Sequence, residues 1–339
     1  MTQVNSDVVH SNVQGAPTFQ LQNGTNDDNL RERLRPMSKC PLVSAIVPTH
    51  DRKHAASRCI ESILRSNYNA LEVIVIDDAS TDGTSEDFRK QFNGITVLRN
   101  EREKFLASSR NTGCKRARGE LILLIDDDNV VHPNAISELV RAFSDGPNVG
   151  IVGPVMYYLS DPSLVWYSGS SRSYLTSITR ISKTIPKDGI SEGYSTEDIP
   201  NAMMIRRQVF DKIGYFDEFA FPIHYDEADF CKRAIETGYQ VLIAPRAIIW
   251  HDVPVRRKHV SSVRDLHMTN PMRTYYVARN RIVFMKKHAS WWKLCIFSLV
   301  FFPAISIVQF FVIVNSADRR QLGATLRAYA GGVIDGLDF

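Results

Sequence analysis

From Leu42 onward the chain alternates short apolar runs with segments of helical spacing. Leu42 to Val47 is a β-rich run closed by Pro48. From about His54 to Ser66 the residues Ala55, Cys59, Ile60, Ile63 and Leu64 recur at the spacing of one helix face. A second run, Leu71 to Ile76, leads into the polar turn Asp77-Asp78-Ala79-Ser80-Thr81-Asp82-Gly83-Thr84, which can cap a helix reaching Phe88 and Phe92. A third run, Ile95 to Leu98, precedes a helix from about Leu106 to Ala117 that Gly119 stops, and a fourth spans Leu121 to Ile125. Unbroken apolar strands separated by helices predict an α/β fold, a mostly parallel sheet with helices on both faces. Ligands of such sheets bind beyond the carboxyl ends of the strands. Asp77-Asp78 and Asp126-Asp127-Asp128 both fall there.

The second half is less regular. Ile151 to Val155 reads as a strand, and the Ser- and Tyr-rich stretch from Ser168 to Ser195 as loops over the site. Ala202 to Ile205 predicts a strand, Arg207 to Ile213 a short helix, and Glu227 to Thr237 a helix stopped by Gly238. Val241 to Ala244 and Ile248 to Trp250 are two further strand candidates. Leu294 to Val314 carries no charge and is long enough to cross a bilayer. Lys286, Lys287, Trp291, Trp292 and Lys293 precede it and Arg319 and Arg320 follow, the composition of an interfacial anchor. With cations on both sides and Pro303 in the middle, it can span, lie in the interface or turn back, and a buried core helix is the plain alternative.

With 339 residues and 44% hydrophobic content, the chain has ample material for an enzyme-sized core. Its five cysteines, Cys40, Cys59, Cys114, Cys231 and Cys295, are scattered without a CxxC pair. This argues against a disulfide framework or structural zinc and for a reducing, cytosolic compartment. The net charge of +4 hides basic residues concentrated from Arg256 onward, which points to a membrane surface and not to nucleic acid. Residues 1 to about 40 are rich in Asn, Gln, Ser and Asp and lack a signal-peptide pattern, so a disordered leader is expected, with the sequon Asn23-Gly24-Thr25 a chance match.

Three adjacent aspartates can be a solvated turn, but these directly follow a buried-strand pattern. Carboxylate oxygens suit Mg²⁺ or Mn²⁺, which accept one or two protein ligands and fill their shells with water and phosphate. Such a cation aids departure of a nucleoside diphosphate. In extended backbone Asp126 and Asp128 face one side and Asp127 the other, so one face can hold metal and the other a ribose hydroxyl. Asp77 or Asp78 can accept a hydrogen bond from the imide of a pyrimidine base.

These segments together resemble glycosyltransferase family 2, the inverting group with the GT-A fold, including its membrane-associated, rhamnosyltransferase-like members. Val47-Pro48-Thr49-His50-Asp51-Arg52 resembles the family's V-P-T-Y-N-R, and Val75 to Thr84 its V-V-D-D-x-S-T-D-G-T. Ser109-Arg110-Asn111-Thr112-Gly113 resembles its R-N-x-G element, and Gly119-Glu120 through Asp128 its G-E-x-(apolar)-D-D-D. The resemblance implies a Rossmann-like sheet and donor contacts from Pro48, Thr49, Arg52, Asp77, Asp78, Arg110, Asn111, Asp126 and Asp127. It puts Thr49 and Asp78 near the base, Asp127 at the ribose and Asp128 on the metal, with Asp126 assisting. His50 and Asp51 stand where the family has Tyr and Asn.

Farther on, Phe210 to Asp217 resembles V-F-x-x-x-G-x-F-D, and His224 to Arg233 resembles E-D-x-D-L-x-x-R with the first two acids reversed. Glu227 takes the place of the family's catalytic aspartate and is the expected general base, with Asp226 and Asp229 as rivals. A helix N-terminal acidic cluster is the structural alternative. His251 stands where members often carry a histidine near the metal, and Arg279-Asn280-Arg281 resembles a membrane-proximal element. The expected divisions are a leader over 1–40 and a GT-A domain over 41–285, with a donor half at 41–150 and an acceptor half at 151–285. A membrane-associated region follows over 286–339. The expected activity is metal-assisted transfer from an NDP-sugar to a hydroxyl of a lipid-linked or cell-envelope glycan, on the cytoplasmic face of a membrane. Two alternatives stay open: a polyprenyl-phosphate sugar synthase and an inactive, membrane-anchored sugar-binding module.

Overall fold

The computed structural model describes residues 40–186, 193–255, 270–316 and 319–339. The expected leader, Cys40 apart, lies outside the described residues, as do its sequon and the start of the basic segment at Arg256.

Strand β1, Val43–Thr49, is buried at every position. Successive side chains of a strand face opposite sides, so both faces of β1 are covered. Helix α1, Lys53–Leu64, then leads to β2, Leu71–Asp77; α2, Thr84–Gln91, to β3, Thr96–Arg99; and α3, Phe105–Arg116, to β4, Leu121–Ile125. Strands β1 and β2 pair in parallel with Thr49 opposite Asp77, and β4 pairs in parallel with β1 on the other side. Gly113 lets α3 lie directly on β1, because a Cβ there would fall 2.4 Å from Ile46 Cγ2.

The next elements are β5, Asn129–Val131, α4, Ala135–Ala142, β6, Val149–Tyr158, and β7, Val165–Tyr167. The expected loop over Ser168 to Ser195 contains a small hairpin, β8, Ser170–Arg172, with β9, Thr179–Ile181, and the short strand β10, Tyr194–Ser195. Then come β11, Ala202–Arg206, α5, Arg207–Ile213, α6, Asp226–Glu236, and β12, Gln240–His251. Among the described residues ten strands share one sheet in the order β10-β12-β6-β11-β4-β1-β2-β3, with β5 on β12 and β7 on β6. The first half is parallel as expected. The second half is mixed, because β11 runs antiparallel between β4 and β6.

The two strand candidates over 241–250 are one strand. Pro245 has no N–H to give to a ladder, and the register with β6 shifts between Ala244 and Ile248, so the strand passes the proline as an irregularity. At its end His251 pairs opposite Asn129, which brings it beside the acidic run.

Helix α7, Pro271–His288, is capped by the Asn270 side chain and docks on the domain. Asn280 Nδ2 donates to the carbonyls of Ile223 and His224, and Arg279 Nη1 donates to that of Ala220. The apolar stretch forms α8, Trp291–Ile296, a π-helical turn, Phe297–Phe301, and α9, Phe302–Ser316. Trp291–Asn315 makes one helix of 25 residues, so the chain does not turn back at Pro303. The widened π turn sits where the proline ring would otherwise meet a carbonyl of the preceding turn. The last helix, α10, Leu322–Asp338, packs on α7 so closely that a Cβ at Gly332 would lie 2.3 Å from the Tyr275 carbonyl oxygen.

Candidate active site

A cleft of about 370 Å³ opens at the carboxyl ends of β1, β2 and β4. Pro48, Thr49, Arg52, Asp78 and the run Asp126-Asp127-Asp128 line it. Tight turns carry these side chains: Asp51, Ala79, Phe105 and Asn201 all adopt positive φ, between 50° and 65°. Such conformations cost roughly 1 kcal/mol or more each and gather where a chain must aim a side chain at a site.

The three aspartates have different surroundings. Asp127 accepts from Thr49 Oγ1 at 2.8 Å and pairs with Arg52 Nη1 at 2.9 Å. Burial nonetheless pushes its carboxyl up to about 7, with the charges of Asp128 and Asp126 adding to the rise. Asp128 pairs with Arg52 Nη2 at 3.1 Å, while its other oxygen, Oδ1, is buried without a hydrogen bond, 3.4 Å from His251 Nε2. Burial raises the Asp128 carboxyl, but His251 and Arg52 outweigh it and hold the group below the ordinary range. Asp126 turns instead to Arg110, at 2.7 Å.

Arg110 is buried in α3 and joins both halves of the chain. Its Nη2 donates to Asp126 and, at 3.0 Å, to Glu227; its Nη1 donates to Asp226 at 2.6 Å. Consecutive positive φ at His224 and Tyr225 start α6 so that Asp226 and Glu227 point at this guanidinium. The Asn201 N–H also donates to Glu227, at 3.0 Å. Burial raises both Asp126 and Asp226, Arg110 pulls them back, and Glu227 pushes them up again.

Other expected site residues face elsewhere. Asp77 is buried under its own turn, accepting from the Ser80 N–H, the Ser85 hydroxyl and Arg99. Asp78, in contrast, lines the cleft and is held by Asn100 Nδ2 at 2.7 Å and the Lys104 N–H at 3.0 Å. Asn111 clamps the segment before α6, exchanging hydrogen bonds with the backbone of Phe216. Asp229 lies in a separate ion cluster with Arg233, Lys287 and His288, all within 2.9 Å. Burial raises its carboxyl, but His288, Arg233 and Lys287 win and bring it down to about 2.

Several contributors carried no sequence signal. Asn201 Nδ2 lies 2.9 Å from His251 Nε2, and the Trp166 ring packs edge-on against His251 with centroids 4.3 Å apart. Phe105, Leu106, Ile223 and Met272 give the cleft an apolar side. Each comes from a segment distant in sequence from the acidic run.

Among the described residues no three His, Cys, Asp or Glu side chains form a ready-made metal cage. Magnesium-type cations need only one or two protein ligands, and a buried carboxylate oxygen without a hydrogen bond beside an imidazole nitrogen fits that requirement. Asp128 and His251 are the donors that meet it; Asp126 is turned to Arg110.

Residues 44–214, half of the chain, match the family described as Glycosyl transferase family 2. The chain belongs to glycosyltransferase family 2. An uncharacterized protein y4gI of Sinorhizobium fredii is 27% identical to this glycosyltransferase over 248 residues, 67% of this chain and 26% of that one. Glycosyltransferase GlyG of Streptococcus pneumoniae is 24% identical over 51% of this chain and 60% of its own. The chain thus spans about a quarter and three fifths of the lengths of these two relatives. Mannosyltransferase PcManGT from Pyrobaculum calidifontis, solved with GDP-Man and Mn²⁺, aligns over 91% of this chain and 92% of that one with a TM-score of 0.54 and 15% identity. That likeness shows a shared GT-A-like fold.

Two measurements test the electrostatic frame of this glycosyltransferase. Arg110→Met leaves the buried Asp226 and Glu227 and the half-buried Asp126 without their shared cation and is expected to lower stability by about 3–5 kcal/mol, read as a shift of the urea midpoint. For Asp229, the folded value of about 2 lies below the 3.8 of a free aspartate. Its contribution is therefore fully present above about pH 5 and fades as the pH falls towards 2. The stability gap between wild type and Asp229→Asn should narrow over that window; a gap independent of pH would contradict the assignment.

Proposed function

We propose that this glycosyltransferase moves a sugar from an NDP-sugar to a hydroxyl of a lipid-linked or cell-envelope glycan, with inversion, at the cytoplasmic face of a membrane. The observation that carries the reading is the Arg110 guanidinium, which ties Glu227 to Asp126 and so sets a candidate base behind the carboxylates of the donor cleft. In this reading residues 41–150 bind the donor and 151–285 present the acceptor. Asp78 and Thr49 lie toward the base, and Asp127, with Arg52 beside it, receives a ribose hydroxyl.

Asp128 and His251 would hold a divalent cation, which when bound stabilises negative charge on the departing diphosphate. PcManGT, with its GDP-Man and Mn²⁺, supports donor and metal alike. Glu227 takes the proton of the acceptor hydroxyl as that oxygen attacks the anomeric carbon. Arg110 and the Asn201 N–H keep its carboxylate oriented while the reaction proceeds. Asp226 is the rival base; its carboxylate is fully buried against Arg110. The likeness to rhamnosyltransferase-like members belongs to the same proposal.

The apolar side of the cleft at Phe105, Leu106, Ile223 and Met272 favours a second reading, transfer to a polyprenyl phosphate, whose phosphate needs no base. One assay separates the two: NDP release across a panel of NDP-sugars, with membrane acceptors, for wild type, Glu227→Gln and Asp128→Ala. A hydroxyl acceptor predicts a kcat about 10²–10⁴-fold lower for Glu227→Gln with donor affinity kept. Retained activity in that variant supports the phosphate acceptor. Chelation by EDTA and Asp128→Ala should each remove activity, and full activity in either would exclude the metal role.

A further inference from the structure

The C-terminal helices have a direction that bears on how the enzyme meets a membrane. Gly332 of α10 touches Tyr275 of α7, and Gly336 touches Arg279 and Ile282, so α7 and α10 run the same way. The Tyr329 hydroxyl of α10 donates to Gln309 Oε1 of α9 at 2.9 Å. Ile313 of α9 packs in one cluster with Val277 of α7 and with Leu322, Leu326 and Tyr329 of α10. The apolar helix therefore folds back along α7 and does not lead away from the domain.

Its two faces differ sharply. Ser306, Gln309 and Ile313, at spacings of three and four, look inward, and Gln309 is only 1% exposed. Leu299, Val300, Ile307, Phe310, Phe311 and Val314 look outward, with Leu299 79% exposed. Phe219, 85% exposed, and Phe339 flank Arg279 of α7, which bonds the Phe219 carbonyl and covers the Phe339 ring. Trp291 and Trp292 stand at one end of the helix, with Lys293 against the Trp292 ring, and Arg319 and Arg320 lie exposed beyond the other.

A helix of 25 residues is about 37 Å long, sufficient to cross a hydrocarbon core of about 30 Å. Crossing it would carry along α7, and with it Arg279, Asn280 and the backbone of 219–224 to which they bond. Lipid cannot solvate those groups, and placing them there would cost several kcal/mol each. Lying flat lets the outward face enter one leaflet while α7 stays with the domain in water. Trp291, Trp292 and Lys293 at one end and Arg319 and Arg320 at the other match the headgroup layer and anionic lipids.

We propose that this glycosyltransferase is monotopic: helix 291–316 lies in the plane of one leaflet, its outward face in the acyl boundary, with both ends on the side of the catalytic domain. This deepens the membrane part of the proposed function and rests on it. It also sets the route of a lipid-linked acceptor. Met272 lines the cleft only five positions along α7 from Val277, which packs with Ile313, so the cleft opens near the Val314 end of the embedded helix.

The test is accessibility in sealed vesicles from cells expressing the full chain, oriented with the catalytic domain outward. In a background with Cys40→Ser and Cys295→Ser, which removes the two exposed thiols, Ser290→Cys and Gln321→Cys place single labels at either end of the apolar helix. Both are expected to react fully with a membrane-impermeant maleimide before permeabilisation. A label at Gln321→Cys that appears only after detergent would mean a spanning helix and overturn the proposal. Flotation supplies the second reading: binding to phosphatidylcholine vesicles strengthened by phosphatidylglycerol supports the anchor. A chain that stays in the aqueous fraction, or buries the face as a lipid-free dimer, overturns it. Neither measurement reads sugar transfer, so a wrong acceptor assignment leaves the result intact.

Discussion

Arg110 is the constraint on which the site depends. One buried guanidinium meets carboxylates from the end of β4 and from the start of α6, segments about 100 positions apart in the sequence. A charge out of water is tolerated only when paired and hydrogen-bonded, so the position of Arg110 dictates where those two segments can lie. Three carboxylates around a single cation also exceed its charge. The excess appears as raised protonation of Asp126 and Asp226, caused first by their burial.

The same logic runs through the acidic triplet. Extended backbone sends its neighbours in different directions, and each finds a different partner: Arg110 for Asp126, Thr49 and Arg52 for Asp127, Arg52 and His251 for Asp128. The pairing of β5 with β12 supplies the histidine, because His251 lies opposite Asn129. The cleft is thus assembled by sheet register from β1, β2 and β4 and closed by the return of the last strand.

The C-terminal helices show the opposite strategy. Their inward contacts are few but specific, with glycines admitting α10 against α7 and a Tyr329–Gln309 hydrogen bond joining α10 to α9. Their outward surface is apolar and exposed among the described residues. Packing that keeps polar α7 on the catalytic domain decides how the apolar helix can be used.

The sequence by itself determined the first four strands, their helices, and the convergence of Asp77-Asp78 and Asp126-Asp127-Asp128 on one sheet edge. Those features follow from local periodicity and from the rule that ligands meet strand ends, and neither needs long-range information. It also marked Arg110, Glu227 and His251 as residues of interest through motif spacing. Only the tertiary structure decided their relations. Asp77 and Asn111 turn into structural clamps and Asp229 into an ion cluster, because their partners Arg99, Phe216, Lys287 and His288 come from other segments of the chain. The mixed order of the second half and the fold-back of the apolar helix were equally illegible. Antiparallel insertion of β11, passage of β12 over Pro245 and close approach at Gly332 depend on contacts between distant segments, which periodicity along the chain does not encode.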